Sequence, residues 1–260
     1  RGCCCRASMA GEGKDRGLDA PFSLGNELWP DSDDDNDAGA SAHQRSEEGG
    51  GRVQEVDVEE DEVQTLSIAG HEVILGQGSF HPLNAQRAWP GAFDLVEFLT
   101  SGREDIPALG TSRFLELGSA TGLAAVALTL CGAAHVTTSD ANDGGEVERR
   151  IAANYRRNGL HPPPPHVPHT WGEGWAAGER FDVLIASDVL LYVSAYPKLV
   201  QTVTEIFQGC GVREMIMAWN RRMQASSQFF EGMERAGFAC RREGCIYRFH
   251  RPEGGPAEAP

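Results

Sequence analysis

The apolar positions divide the chain into an irregular, polar N-terminal part and a longer part with regular periodicity. Residues 64–77 alternate apolar and polar side chains around Ala69 and Gly70, a pattern that predicts a β-hairpin. A helix is predicted over 89–99, because Pro90 is followed there by apolar residues at helical spacing.

From residue 113 onward, short strands alternate with helices. Strands are predicted over 113–117, 135–140, 181–188 and 213–220, and helices over 122–131, 144–158, 194–208 and 223–237. Residues 181–188, FDVLIASD, are apolar almost throughout, as in a parallel strand that is buried on both faces. Residues 238–250 predict a closing hairpin, and the proline-rich residues 161–169 predict a stiff surface loop. The fold class is therefore α/β: a doubly wound, mostly parallel sheet with an antiparallel terminal hairpin and an N-terminal hairpin extension.

Composition changes sharply near residue 62. Residues 1–62 contain few large apolar side chains, so we expect a disordered tail there and a second one over 253–260. The folded domain is expected over 63–252, with the hairpin and first helix in 63–100 and the core in 113–250.

Most of the formal charge belongs to the N-terminal tail. Thirteen acidic residues and two arginines lie in 31–62, so this segment carries −11 of the net charge of −15. A nearly neutral domain without a basic face does not predict nucleic-acid binding. We interpret the acidic run as a solvated, self-repelling tail; the alternative is that it attracts basic partners.

The cysteines and histidines do not predict a structural metal or a disulfide framework. The seven cysteines are odd in number and include no C-x-x-C pair, which favours a reducing compartment, in the cytoplasm or nucleus. His161, His166 and His169 have no acid or cysteine at ligand spacing, so no metal is expected. With no apolar run of 18 residues, we expect a soluble protein that does not bind membranes. A monomer is expected as well.

A glycine turn carries the first functional signal. FLELGSATGL, residues 114–123, passes from an apolar strand through a turn rich in small residues into an apolar helix. Such a turn lets the backbone approach a ligand and directs free N–H groups toward it. The next strand ends at Asp140, about twenty residues later, where a carboxylate suits ribose hydroxyl groups. Together these features predict an adenosine-type ligand.

The details of the turn indicate which adenosine-type ligand. The glycines are too close together for a dinucleotide fingerprint, since Ala120 stands between Gly118 and Gly122, and no Lys-Ser or Lys-Thr follows for a P-loop. The neighbouring Glu116 disfavours a pyrophosphate and suits a ligand with ammonium and sulfonium groups. The predicted cofactor is therefore S-adenosyl-L-methionine (SAM). The alternative is a tight strand-to-helix turn with no ligand.

The ordered motifs resemble a known family. ELGSATG, TTSD, a helix with Asn154 and Asn158, HTWG and FDVLIASDVLLY are similar in order and spacing to the seven-stranded class I methyltransferases. AWPGAFDLVEFL before the first core strand resembles their family-16 branch, which contains many small protein-lysine methyltransferases. The resemblance covers about residues 63–250 and implies a seven-stranded sheet.

The resemblance also implies a set of site residues. The cofactor-binding residues would be Trp89, Glu116, Gly118, Ser119, Ala120, Asp140, Ala141, Asn142, Trp171 and Ser187. The catalytic residues would be Asp188, which orients the incoming ammonium, and Tyr192, which forms a wall of the acceptor channel. The alternatives are that Trp171 is a core residue, that Trp89 only packs at a helix start, and that Asp188 is a helix N-cap.

Two positions depart from the family pattern. Ala120 replaces a common glycine, although its methyl group is small enough that binding is expected to survive. Leu191 stands where the branch often has Tyr or Phe, with Tyr192 one residue later. The leading hypothesis is a SAM-dependent methyltransferase that acts on a protein lysine. The alternatives are a methyltransferase of small molecules or other amines, and a silent SAM-binding module that recruits partners.

Overall fold

The computed structural model describes residues 62–176, 178–221 and 223–252. The two predicted tails lie outside the described residues, except for Glu62, which belongs to the first strand. Glu62, which the sequence analysis placed in the tail, is thus the first residue of a described strand.

The described elements follow the predicted βα alternation. The strands are β1 Glu62–Ile68, β2 His71–Gln77, β3 Arg113–Leu117, β4 His135–Asp140, β5 His166–Pro168, β6 Val183–Ser187, β7 Glu214–Ala218, β8 Ala239–Glu243 and β9 Ile246–His250. The helices are α1 Pro90–Leu99, α2 Leu123–Leu130, α3 Glu146–Arg157, α4 Tyr196–Gly209 and α5 Ser227–Arg235. Short 3-10 turns precede α4 and α5, so α5 starts later than the periodicity predicted.

The central sheet has seven strands in the order β5-β4-β3-β6-β7-β9-β8. The first five are parallel to one another, and β9 pairs antiparallel with both β7 and β8. This arrangement confirms the predicted doubly wound sheet with an antiparallel closing hairpin. Strand order reverses between β3 and β6, and ligands of such sheets bind outside the carboxyl ends of the strands at that reversal.

Two apolar layers cover the faces of the sheet. One layer joins the β1–β2 hairpin, α1, α2 and α3 to strand residues such as Phe114 and Ile185. The other joins α4 and α5 to Leu115, Leu184 and their neighbours on the opposite face. Among the helices that the structure describes, none has the length and apolar content to cross a membrane.

The prediction of a loop throughout residues 161–169 was wrong, because His166–Pro168 form the edge strand β5. Thr138 N donates to Pro165 O at 2.9 Å, and His169 N donates to Asp140 O at 2.7 Å, so the segment is paired with β4. Pro168 lacks an N–H group, which an edge strand tolerates because its outer side needs no partner.

Two asparagines of α3 hold the hairpin against the core. The buried Asn154 accepts from Gly76 N at 2.7 Å and donates to Gly76 O at 3.1 Å and to Thr121 O at 2.9 Å. One turn later, Asn158 accepts from Ile74 N and donates to Ile74 O, at 2.8 and 2.7 Å. The two side-chain amides thus occupy the free edge of β2 in the way that a neighbouring strand would.

Replacing Asn154 with alanine is expected to destabilise the domain by roughly 2–4 kcal/mol, because it leaves buried backbone groups of Gly76 and Thr121 unpaired. Asn158→Ala is the matched control, and its cost is expected to be smaller because its bonds to Ile74 are exposed to water. Urea unfolding of both variants measures the difference. Equal, small losses would contradict the assigned role of Asn154.

Candidate functional site

The glycine turn after β3 has an unusual backbone. Gly118, Ala120 and Gly122 all lie in the left-handed region, with φ of 68°, 48° and 75°. A Cβ atom at Gly118 would come within 2.9 Å of Val189 Cγ1, so glycine there leaves space between the ends of β3 and β6. Ala120 adopts the same region at a cost of about 1–2 kcal/mol.

Asp140, at the end of β4, fixes this turn. One carboxylate oxygen accepts from Ala120 N at 2.8 Å and the other from Ala141 N at 2.8 Å. Burial raises the pKa of Asp140, and the two backbone N–H groups oppose that rise. Because a carboxylate oxygen can accept more than one hydrogen bond, both oxygens retain capacity for ligand hydroxyl groups.

A pocket of about 220 Å³ opens at the carboxyl ends of the strands. Nine of the predicted site residues line it: Trp89, Gly118, Ala120, Asp140, Ala141, Trp171, Ser187, Asp188 and Tyr192. A narrow cleft adjoins the pocket and shares Trp89, Gly118, Ala120 and Ser187 with it.

The remaining three predicted residues are divided between this adjoining cleft and the surface. Glu116 and Ser119 line the cleft. Asn142 is exposed and belongs to the lining of neither space. The structure therefore does not bring Asn142 together with the other predicted cofactor-binding residues, and its role stays a prediction.

Glu116 is buried on β3 with an unusual environment. Its exposure is 2%, and its Oε2 atom has no hydrogen-bond partner among the described residues. Burial raises the pKa of this carboxyl group to about 8, and the nearby Asp140 contributes to the rise. A cationic group in the cleft would supply the missing partner and favour the ionised form.

Asp188 ends β6 in the left-handed region, with φ of 50°. The Oδ2 atom of Asp188 accepts a hydrogen bond from Gly91 N at 2.6 Å, so the carboxylate caps the first turn of α1. Asp188 also lines the pocket. Asp188 is thus not the N-cap of a helix that follows β6, because the next helical turn begins after Tyr192. Its carboxylate instead accepts from the first turn of α1, which precedes it by almost a hundred residues. Burial raises the pKa of Asp188, and the Gly91 N–H bond opposes this.

The aromatic residues border the pocket in different ways. Trp89 is almost fully buried, and its Nε1 atom donates a hydrogen bond to Asn84 O at 3.0 Å. The guanidinium of Arg87 lies over the Trp89 ring, 4.3 Å from its centroid. Trp171 is half-buried and lies near Gly118. Tyr192 is 40% exposed, and its hydroxyl accepts from Asn84 Nδ2 at 2.5 Å.

One wall of the pocket was missed by the sequence interpretation. It comes from the loop between β2 and α1, which contributes Leu83, Asn84 and Ala85. The loop has no motif or periodicity that could have indicated this position. Lys198 of α4 also lines the pocket and was missed, although its stem lies against Gly172 directly after the predicted Trp171.

Among the described residues, His81, Asp143 and Glu146 lie close enough to hold a metal ion in principle. Their polar atoms already have partners. Asp143 accepts from the backbone N–H groups of Gly145, Glu146 and Val147, and His81 Nδ1 accepts from Leu83 N at 3.1 Å. The group is thus a helix cap that ties the β2–α1 loop to the start of α3.

A family model described as lysine methyltransferase matches residues 77–236, which is more than half of the chain. The chain is also 30% identical over 165 residues to the protein-lysine N-methyltransferase EFM3 of Chaetomium thermophilum, a match that covers 59% of this chain and 48% of that protein. The chain therefore spans about half the length of this curated relative.

Solved structures provide a comparison of the fold. The chain is similar to PH1948 of Pyrococcus horikoshii, which is named as a candidate RNA methyltransferase, with a TM-score of 0.53 and 15% identity. The match covers 70% of this chain and 93% of that chain. The similarity concerns the fold alone, and it supports the predicted methyltransferase-like α/β architecture.

Replacing Ala120 with glycine is expected to keep or raise stability, by up to about 1 kcal/mol, because glycine adopts the left-handed region without the steric cost of a Cβ atom. Ala120→Val is the opposing control and should destabilise the domain, since a branched side chain fits this region poorly. Thermal unfolding measures both. A clear loss of stability in the glycine variant would refute strain at Ala120.

Glu116→Gln is expected to change the pH dependence of stability. Because the folded-state pKa of about 8 lies above the ordinary value of 4.5, the native protein is favoured most below pH 4.5 and loses stability as pH rises toward 8. The glutamine variant lacks this loss, so its stability relative to the native protein should increase by up to about 1.4 kcal/mol per pH unit in that window.

Denaturant unfolding at pH 5 and pH 8 measures this change. Glu231→Gln, which removes an exposed carboxylate on α5, controls for the loss of one surface charge. If the free energies of unfolding of the native protein and of Glu116→Gln differed by the same amount at both pH values, the raised pKa of Glu116 would be contradicted.

Proposed function

The chain belongs to the lysine methyltransferase family, and from this premise we propose that it transfers a methyl group from SAM to a lysine side chain of a protein. One observation carries the proposal: a single pocket is lined both by Asp140, the expected ribose anchor, and by Asp188 and Tyr192, the expected acceptor residues. Function is argued from this site, because the same fold supports many reactions.

The described residues fit SAM on two independent grounds. The Asp140 carboxylate is fixed by backbone N–H groups and retains acceptor capacity for a ribose diol. The buried Glu116 Oε2 atom has no partner in the described part of the chain and suits the ammonium group of the methionine moiety. Gly118 lines both the pocket and the cleft, and a Cβ atom there would come within 2.9 Å of Val189 Cγ1, so glycine is the residue that fits at this point.

When bound, SAM would supply an electrophilic methyl group on a sulfonium centre. Transfer to a neutral amine would form the N–C bond as the C–S bond breaks, and the neutral thioether S-adenosylhomocysteine would leave. The protein contributes alignment of the amine and removal of its solvent shell. Lysine is normally protonated, with a pKa of about 10.4, and entry into an apolar channel favours the neutral amine. Leu191 and Tyr192 supply apolar and aromatic surface at the pocket, and the carboxylate of Asp188 would orient the ammonium before it loses its proton.

A lysine side chain of a protein is the proposed acceptor. Relatedness to a protein-lysine N-methyltransferase favours a protein lysine over a small molecule. We retain the cytoplasm or nucleus as the expected location, from cysteine usage alone.

Two carboxylate variants separate cofactor binding from turnover. Asp140→Ala is expected to abolish SAM binding in calorimetry, because the turn and the ribose lose their shared anchor. Asp188→Asn retains an oxygen that can cap Gly91, so SAM affinity should stay within about threefold, whereas turnover should fall by more than about tenfold through loss of alignment. If Asp188→Asn lost SAM binding as well, the division of roles would be wrong.

The acceptor class is tested by incubating the protein with labelled SAM and a cell lysate. Label in a protein band that releases methylated lysine after digestion supports the proposal. Label only in the small-molecule fraction would favour the alternative acceptor class. Binding of SAM without label in any fraction would favour the silent module.

A further inference from the structure

The cleft beside the main pocket contains a side chain with no role so far, Arg87. This residue lies in the β2–α1 loop, two positions before Trp89, and lines the cleft together with Glu116 and Ser187. The cleft is narrow, with a volume of about 10 Å³, and it shares Trp89, Gly118, Ala120 and Ser187 with the main pocket. A ligand in the pocket therefore meets the groups of the cleft where the two spaces join.

The guanidinium of Arg87 packs against Trp89, but its Nε atom lacks a hydrogen-bond partner among the described residues. Its guanidinium lies 4.3 Å from the centroid of the Trp89 ring, and Arg221 lies over the same ring at 5.0 Å. The Nε atom of Arg87 is buried and has no hydrogen-bond partner among the described residues. Burial and the nearby Arg221 both lower the pKa of Arg87, which is the direction expected for a cation that lacks a nearby anion.

Glu116 is the complementary group in the cleft. Its Oε2 atom is also buried without a partner, and no ion pair joins it to Arg87 in the described part of the chain. Buried polar groups are normally hydrogen-bonded, so an unpaired donor and an unpaired acceptor in one cleft indicate a ligand that completes both. An α-amino acid group has this chemistry, because it carries an ammonium and a carboxylate on one carbon atom.

We propose that Arg87 binds the α-carboxylate of the methionine moiety of SAM while Glu116 binds its ammonium. This assignment rests on the proposed function. It adds a specificity-determining residue, Arg87, from the β2–α1 loop, which lies outside the glycine turn. Trp89 acts as the positioning residue, since its ring supports the guanidinium. The cleft should therefore distinguish SAM from an analogue that has the ammonium but lacks the carboxylate.

Calorimetric titration with SAM and with decarboxylated SAM tests this assignment. The native protein should bind SAM at least tenfold more tightly. Arg87→Met keeps an apolar stem over Trp89 but removes the guanidinium, so SAM affinity should fall about tenfold to a hundredfold while decarboxylated SAM is unaffected. Arg87→Lys retains a cation and should keep part of the preference.

The matched control is Arg221→Met. Arg221 lies over the same Trp89 ring but does not line the cleft, so its loss should leave the ratio of the two affinities unchanged. Equal weakening of both ligands in Arg87→Met and Arg87→Lys, or equal affinity of the native protein for both ligands, would overturn the assignment of Arg87. If the native protein bound neither ligand, the proposed function itself would fail.

Discussion

The site depends on the hydrogen bonds that the Asp140 carboxylate makes with the backbone after β3 and β4. These bonds hold Ala120 in a left-handed conformation that its side chain disfavours, and they join the ends of two adjacent strands. The same carboxylate then faces the pocket, so the group that shapes the turn is also the group expected to bind ribose. Burial of such a carboxylate is costly unless N–H donors surround it, and the turn supplies them.

A second set of contacts brings the N-terminal segment to this turn. Asn154 forms hydrogen bonds with Gly76 of the hairpin and with Thr121 of the glycine turn. One buried side-chain amide therefore fixes the hairpin next to the turn. His81 and Asp143 tie the following loop to the start of α3. The loop that carries Arg87 and leads to Trp89 is therefore fixed at both its origin and its middle.

Sequence reasoning succeeded where function and fold depend on local patterns. The strands of the core, the hairpin and the turn with Asp140 have signals within a few residues, and the family match agrees with the motifs on which the resemblance was based. It failed where the decisive partner is distant. Asp188 caps α1 across almost a hundred residues, and β5 is recognisable only through its pairing with β4, because its prolines favour a loop by themselves.

The hydrogen bond between Gly91 and Asp188 limits which residues can stand at position 91 of this chain. Glycine in a helix costs about 1 kcal/mol relative to alanine, yet a Cβ atom at position 91 would lie 2.8 Å from Asp188 Oδ2 and displace it. Glycine at position 91 thus lowers the stability of α1 but allows the Asp188 carboxylate to stay in its position. A single substitution at the start of α1, outside the lining of the pocket, would therefore favour the helix and displace a carboxylate inside that lining in the same evolutionary step.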